Sequence, residues 1–174
     1  MIISISGTPK TGKTSVAEAL ARRLGWDLVR LNSLASEKKL YLGYDSARKS
    51  RIVDIKRLKA EVRRISRSRK NLILESHYSH DMPCDIAVIL RTNPRELRMR
   101  MSRAGWTKAK TEENVEAEIM EVVKGEALES AKRILEIDTT GREPEWVAEQ
   151  IIKKLKLKKE GSSAAFSPDL PRGR

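Results

Sequence analysis

Nine residues, Gly7 to Ser15, read GTPKTGKTS and follow the apolar run MIISIS. Two glycines five positions apart and a following Lys-Thr pair have the spacing of a phosphate-binding loop. Gly7 and Gly12 let the backbone wrap around phosphates. The amides that open the next helix would point at a β-phosphate, helped by the helix dipole. Lys13 is expected to reach the β- and γ-phosphates, Thr14 to ligate Mg²⁺ through its hydroxyl, and Ser15 to support the α-phosphate side. Lys10 stands where glycine is the usual residue. A left-handed backbone there costs a side-chain-bearing residue about 1 kcal/mol, which its charge near phosphate can offset.

A second constellation, Glu75-Ser76-His77, ends the apolar stretch NLILE. A strand end beside a phosphate-binding loop points toward the phosphates. Glu75 can there hold the water shell of magnesium, and His77 can orient a water or an acceptor. The competing reading makes His77 a loop histidine engaged in a hydrogen bond; His80 is read as structural. No Asn/Thr-Lys-x-Asp motif for guanine is present, which turns the reading from GTPases to kinases of the nucleoside-monophosphate type. Such enzymes need an acceptor-binding flap and a basic lid that excludes water and brings arginine charge to the transition state. The flap falls at about 30–52. The lid falls at about 102–112 and includes RAGWTKAK, residues 103–110.

The elements that must position these residues alternate. Strands are predicted over 2–6, 26–31, 71–75, 85–91 and the segment RILEIDTTG. Helices are predicted over 13–24, with Val16, Ala17, Leu20 and Leu24 on one face and Gly25 as its C-terminal cap, and over 32–40, with Asn32 or Ser33 as cap. A third covers 52–69, with Ile55, Leu58, Val62 and Ile65 on one stripe. A fourth runs from Pro94 to about Ala104 behind the cap Asn93, with Glu96 at its third position. A long helix follows over about 112–131 and a last one over 144–159. Residues 41–50 read as irregular and 104–114 as a connector. Strands separated by helices predict an α/β fold of the P-loop NTPase type: a parallel five-stranded sheet covered by helices on both faces. One kinase-like domain spans 1–159, and 160–174 has the composition of a disordered tail.

The 174 residues suffice for one domain with a real core. No run approaches the ~20 apolar residues of a membrane span, and Met1 leads into IISISG without a basic signal-peptide start. Cys84 is the single cysteine, which excludes an internal disulfide or a zinc knuckle in the lid and fits a reducing cytoplasm. The net charge of +12 attracts polyanions. Much of it lies at 48–70, where eleven cations face two acids for a local charge of +9. That stretch reads either as a surface for rRNA or as a solvated helix face. Trp106 in the lid could stack on a base or a partner; Trp26 and Trp146 read as packing residues.

GTPxxGKTS, ESHYSHDMPCD, the run from Leu90 to Ile119 and EIDTTGREPEWV together resemble the adenylate-kinase-like ATPases of small-ribosomal-subunit maturation, the nuclear adenylate kinase isoenzyme family and its archaeal relatives. The similarity spans about residues 1–157. Its most specific part is the lid run, with Arg-x-Gly-aromatic followed by Glu-Asn-x-x-Ala-Glu. The resemblance implies an adenylate-kinase-like fold with flap and short lid, reversible phosphoryl transfer from ATP to AMP giving ADP, and ATP hydrolysis. It also implies binding of a small-subunit ribosomal protein, the platform protein numbered eleven, during rRNA processing. The family's ATP site maps onto Lys10, Gly12, Lys13, Thr14 and Ser15, and Arg103 matches its lid arginine. Its Asp-x-His maps onto Glu75 and His77, and the loop at Thr139–Thr140 lies where adenine is held. Three positions depart from the pattern: Lys10 replaces a glycine, Ser36 an arginine that grips the monophosphate (with Lys38 and Lys39 nearby), and Glu75 an aspartate. A kinase for another small acceptor, such as cytidylate or shikimate, is the further alternative.

Overall fold

The computed structural model describes residues 1–46 and 50–158. Arg48 and Lys49 of the basic stretch and the expected tail at 160–174 lie outside the described residues. In chain order the elements are β1 (Ile2–Ser6), α1 (Lys13–Leu24), β2 (Asp27–Arg30), α2 (Leu31–Glu37), β3 (Tyr41–Asp45), β4 (Ser50–Val53), α3 (Ile55–Ser68) and β5 (Leu72–Glu75). After a 3₁₀ turn at Ser79–Asp81 come β6 (Ile86–Arg91), α4 (Pro94–Arg103), α5 (Lys108–Ile119), α6 (Val122–Ser130), β7 (Ile134–Asp138) and α7 (Pro144–Leu155). Five strands form one sheet in the order β2-β5-β1-β6-β7, every pairing parallel. This is the α/β architecture expected from the alternation of strands and helices.

The strands are apolar because both faces of the sheet are covered. Successive side chains alternate between layers. Ile3, Ile5, Ile73, Ile86, Val88 and Leu90 face α1 and α7, which bring Val16, Ala17, Leu20, Leu24, Val147, Ala148 and Ile151. Leu72 and Leu74 face the other way, onto Leu34 of α2 and Leu58, Val62 and Ile65 of α3. Ala87 and Ile89 meet Ala127 of α6 on that second face. Parallel strands all point the same way, so the turns after β1, β5, β6 and β7 gather at one edge of the sheet, and the site is built there.

The last helix, expected over 144–159, ends at Leu155, where Lys156 takes φ 52°, and the elements differ from the sequence reading in four further places. Residues 41–45 and 50–53 pair as an antiparallel hairpin rather than running irregularly. Its Leu42, Tyr44 and Ile52 are exposed, so no alternation of buried and polar residues betrays it. The helix expected over 52–69 starts at Ile55, where the Asp54 carboxylate accepts from the Arg57 amide at 3.0 Å. Helix α2 starts at Leu31 with no side-chain cap; Asn32 instead accepts from the Tyr78 hydroxyl at 2.7 Å. The long helix expected over 112–131 starts earlier and breaks. Thr107 caps α5 at Lys108, and Glu121, at φ 55°, separates α5 from α6. Only 104–107 of the expected 104–114 connector is non-helical.

Candidate functional site

The loop between β1 and α1 is held by backbone demands that sequence alone can place. Gly7 has φ 141°, and a Cβ there would lie 2.5 Å from the Leu90 carbonyl oxygen and 2.9 Å from Thr11 Oγ1. Only glycine lets the loop pass so close to the end of β6. Gly12, at φ 94°, turns the chain into α1. Lys10 has φ 69°, the left-handed backbone its position demanded. Lys13 is buried, and its Nζ donates to the Gly7 carbonyl at 2.8 Å and the Thr8 carbonyl at 2.9 Å. Desolvation lowers its pKa to about 8, against the pull of Glu75 and Glu118. Thr14 and Ser15 begin α1 with exposed side chains.

Glu75 ends β5 and is only 8% exposed. Desolvation raises its pKa, while the charges of Lys13 and Arg30 and a hydrogen bond from Thr14 hold it down. Glu75, Lys13 and Thr14 thus meet from two elements. His77 follows in the turn after β5, with its ring edge-on to Tyr78 at 4.7 Å. The residue is exposed. Desolvation first, then the positive charge of Lys13 and the neighbouring His80, lower its pKa to about 4, so the imidazole is neutral at pH 7. His80 is buried, with Nδ1 2.8 Å from Ser6 Oγ and Nε2 3.5 Å from Glu126.

A cavity of about 430 Å³ opens beside the loop. Lys10 to Val16 form one wall, and Arg100, Thr139, Arg142, Pro144 and Val147 the other. Thr139 is buried between Thr11 and Arg91, whose carbonyls lie 3.0 and 2.9 Å from its hydroxyl. Arg103 is not in this wall. It ends α4 as an exposed residue, three positions and about 4.5 Å of helix rise beyond Arg100. Arg100 is the arginine that sequence reasoning missed. Its guanidinium donates to the Lys10 carbonyl at 3.3 Å and the Thr139 carbonyl at 3.2 Å, and pairs with Glu96. Glu96 also accepts from the Gly141 amide at 2.9 Å, so it ties α4 to the loop after β7 rather than closing a capping box. The Glu96/Arg100 spacing of four was the available signal. Arg142, likewise missed, stacks on Trp146 with 4.6 Å to the ring centroid.

Trp106 packs on Leu97, Met101 and Val115. The ammonium groups of Lys110 and Lys10 lie 4.2 and 5.9 Å from its ring centroid. The half-buried ring thus lies between the turn at 104–107 and Lys10. Among the described residues no three His, Cys, Asp or Glu side chains cluster as a metal cage. Magnesium bound to a nucleotide does not ask for one: it keeps waters and phosphate oxygens and takes one or two protein ligands. The Thr14 hydroxyl and the Glu75 carboxylate, close enough to interact, fit that demand.

Known proteins share this frame. A family described as an AAA domain matches residues 3–121. "Putative adenylate kinase" from Thermococcus onnurineus is 43% identical over 157 residues, covering 90% of this chain and 84% of its own length. The protein of the same name from Methanosarcina barkeri is 40% identical, covering 88% and 85%. Among solved structures, a shikimate kinase from Bacteroides thetaiotaomicron shares the fold at TM-score 0.61 and 15% identity, covering 90% of this chain and 99% of its own. A deoxyadenosine kinase from M. mycoides does so at TM-score 0.58 and 14% identity, covering 90% and 99%. No described helix is long and apolar enough to cross a membrane. A kinase-like fold, a Gly-rich loop around a buried lysine and this identity along nearly the whole domain lead to one conclusion: the chain belongs to the family whose members bear the name "Putative adenylate kinase".

Proposed function

We propose that the protein is a Mg²⁺-dependent phosphotransferase of the adenylate kinase type, which moves the γ-phosphoryl group of ATP reversibly to AMP and also hydrolyses ATP. The observation that carries this reading is the convergence of Lys13, Thr14 and Glu75 at the head of a glycine loop that opens on a cavity. The triphosphate would lie along the loop amides, with Lys13 leaving the Gly7 and Thr8 carbonyls for the β- and γ-oxygens. Magnesium, held through Thr14 and the Glu75 water shell, would neutralise charge between those phosphates. The bond from γ-phosphorus to the β–γ bridging oxygen breaks, and ADP leaves with the electron pair. A bond forms to an oxygen of the AMP phosphate, already an anion, so no proton need move. Water as acceptor must lose one, and the neutral His77 imidazole is suited to accept a hydrogen bond from it and orient it. Arg100 and Arg142 line the cavity, and Arg103 in the lid turn would add charge on closure. ATP, AMP and ADP are the partners of this reading, and the nucleotide pools of a reducing cytoplasm its setting. Flap and lid correspond to 30–52 and 102–112 of one domain over 1–159.

The test is ADP formation from ATP with AMP, with a panel of other monophosphates and small alcohols, and with water alone. AMP should be the preferred acceptor, and Lys13→Ala should lower turnover about 10²–10³-fold, as loss of one preorganised charge at a transition state does. Equal turnover in wild type and Lys13→Ala would sink the reading.

The exposed face of α3 favours a second reading, a nucleotide-switched factor in small-subunit rRNA maturation that binds the platform protein numbered eleven. Lys56, Arg57, Arg63, Arg67 and Lys70 are exposed along that face and its end. Binding to single-stranded RNA should weaken with salt, and reversing Lys56, Arg63 and Arg67 to Glu should flatten that dependence by about 0.7 log unit per lost contact. An unchanged salt slope would return α3 to a solvated face.

A further inference from the structure

Glu118 is a buried carboxylate, 3% exposed, on the last turn of α5. Burying a carboxylate is costly unless it is paired and hydrogen-bonded, and this one is engaged at every oxygen. The Thr8 hydroxyl donates to Oε2. Arg91 Nε donates to Oε1 at 2.7 Å and the Thr92 amide to the same oxygen at 3.0 Å. The Glu118 carbonyl accepts from Arg91 at 2.8 Å. Three elements meet on this one side chain: the glycine loop, the end of β6 and the helix that follows the lid turn.

The chain is bent to make this possible. Periodicity runs on through 112–131, yet α5 ends at Ile119 and Glu121 takes φ 55°. A left-handed non-glycine residue costs roughly 1–2 kcal/mol. Arg91 holds both sides of the bend, its Nη1 2.7 Å from Glu121 while its Nε holds Glu118. Thr8, in turn, is the residue whose carbonyl, with that of Gly7, receives Lys13 Nζ.

We infer that Glu118 is a positioning residue for phosphoryl transfer: by gripping Thr8 it fixes the glycine loop from which Lys13 reaches the phosphates, and it links the loop's placement to the lid-bearing helix. The inference rests on reading Gly7–Ser15 as the ATP site. The charged and titratable groups around Lys13 are Glu75 from β5, His77 from the turn after it and Glu118 from α5. Those around Glu118 are Lys13, Arg91 and, across Arg91, Glu121 and Glu136.

The test is Glu118→Gln, which preserves shape, with kcat and KM measured on ATP and AMP and amide hydrogen exchange followed across residues 7–12 in the nucleotide-free protein. The expected result is a kcat lowered about 10–100-fold, the range for removing a supporting contact, with KM for ATP changed less than threefold and faster exchange confined to the glycine loop. A purely structural role would lower the amount of folded enzyme and leave kcat per folded molecule unchanged. Thr8→Val, which replaces only the hydroxyl, should reproduce the kcat loss and add nothing to Glu118→Gln; it carries the test if Glu118→Gln does not fold. Unchanged kcat in Thr8→Val, or unchanged kcat and loop exchange in a folded Glu118→Gln, overturns the inference. Wild-type protein that turns over no ATP, while loop exchange still rises in Glu118→Gln, would count against the ATP reading alone.

Discussion

Lys10 is held in a conformation that glycine adopts freely, and its ammonium lies near the ring of Trp106. Two effects oppose each other there. The left-handed backbone costs about 1 kcal/mol relative to glycine, while a cation over an indole at an exposed site returns about 0.5–1 kcal/mol at good geometry. At 5.9 Å from the centroid the contact is at the far end of its range, so strain outweighs it. Lys10→Gly should therefore raise stability, by less than about 1 kcal/mol in urea unfolding, and weaken ATP binding by removing a charge from the cavity wall. Lys10→Ala separates the two: it keeps the strain and loses the charge, so affinity falls without any gain in stability. If nucleotide affinity is the same in all three proteins, Lys10 has no part in phosphate binding and is merely tolerated.

Helix and strand identities were legible where burial dictates pattern. The strands β1, β5 and β6 are buried on both faces and read as apolar runs, and the α1 stripe of Val16, Leu20 and Leu24 reads at helical period because α7 and the sheet cover it. The phosphate loop was legible for a different reason: close backbone approach at Gly7 leaves no alternative residue. What escaped reading is set by contacts between segments distant in sequence. The β3–β4 hairpin is stabilised by pairing rather than by burying an alternating face, so Leu42 and Tyr44 gave no period to read. The break at Glu121 depends on Arg91, thirty residues earlier. Arg100 reaches the cavity because Glu96 is bridged to the Gly141 amide, forty-five residues away, whereas Arg103, the conspicuous lid arginine in the sequence, ends outside the wall. Local pattern carries the frame and the glycine loop. The side of the cavity away from the glycine loop is assembled by long-range polar contacts that no local window contains.

At the scale of the whole molecule, the chemistry of the site is written into stability against pH. The chain has two histidines, and both sit in the turn after β5. Desolvation, then Lys13 and His80, lower His77 to about 4, and desolvation also lowers His80, with Lys59 assisting and Asp81 and Glu126 opposing. As pH falls through 6.5, the unfolded chain takes up a proton at each histidine while the native protein does not. The unfolded state then binds more protons, so stability falls with pH between about 6.5 and 4. Glu75 has the opposite sign: its raised pKa lets the native state take a proton first, which relieves its burial as pH drops. Lys13 acts in a separate window. Its native pKa of about 8 lies below the ordinary 10.5, so the unfolded chain again holds the extra proton and stability rises with pH across that interval. Urea unfolding at half-unit steps should thus give a positive slope over pH 5–6.5 and a second over pH 8–9; above that, the raised pKa of Cys84 and that of Tyr78, pushed up to about 12, act in the opposite sense. His77→Asn should reduce the first slope and leave the second; Lys13→Met should remove the second. A first slope that survives His77→Asn at full height would mean that the imidazole is not held neutral in the folded protein, and the orienting role proposed for it would lose its physical basis.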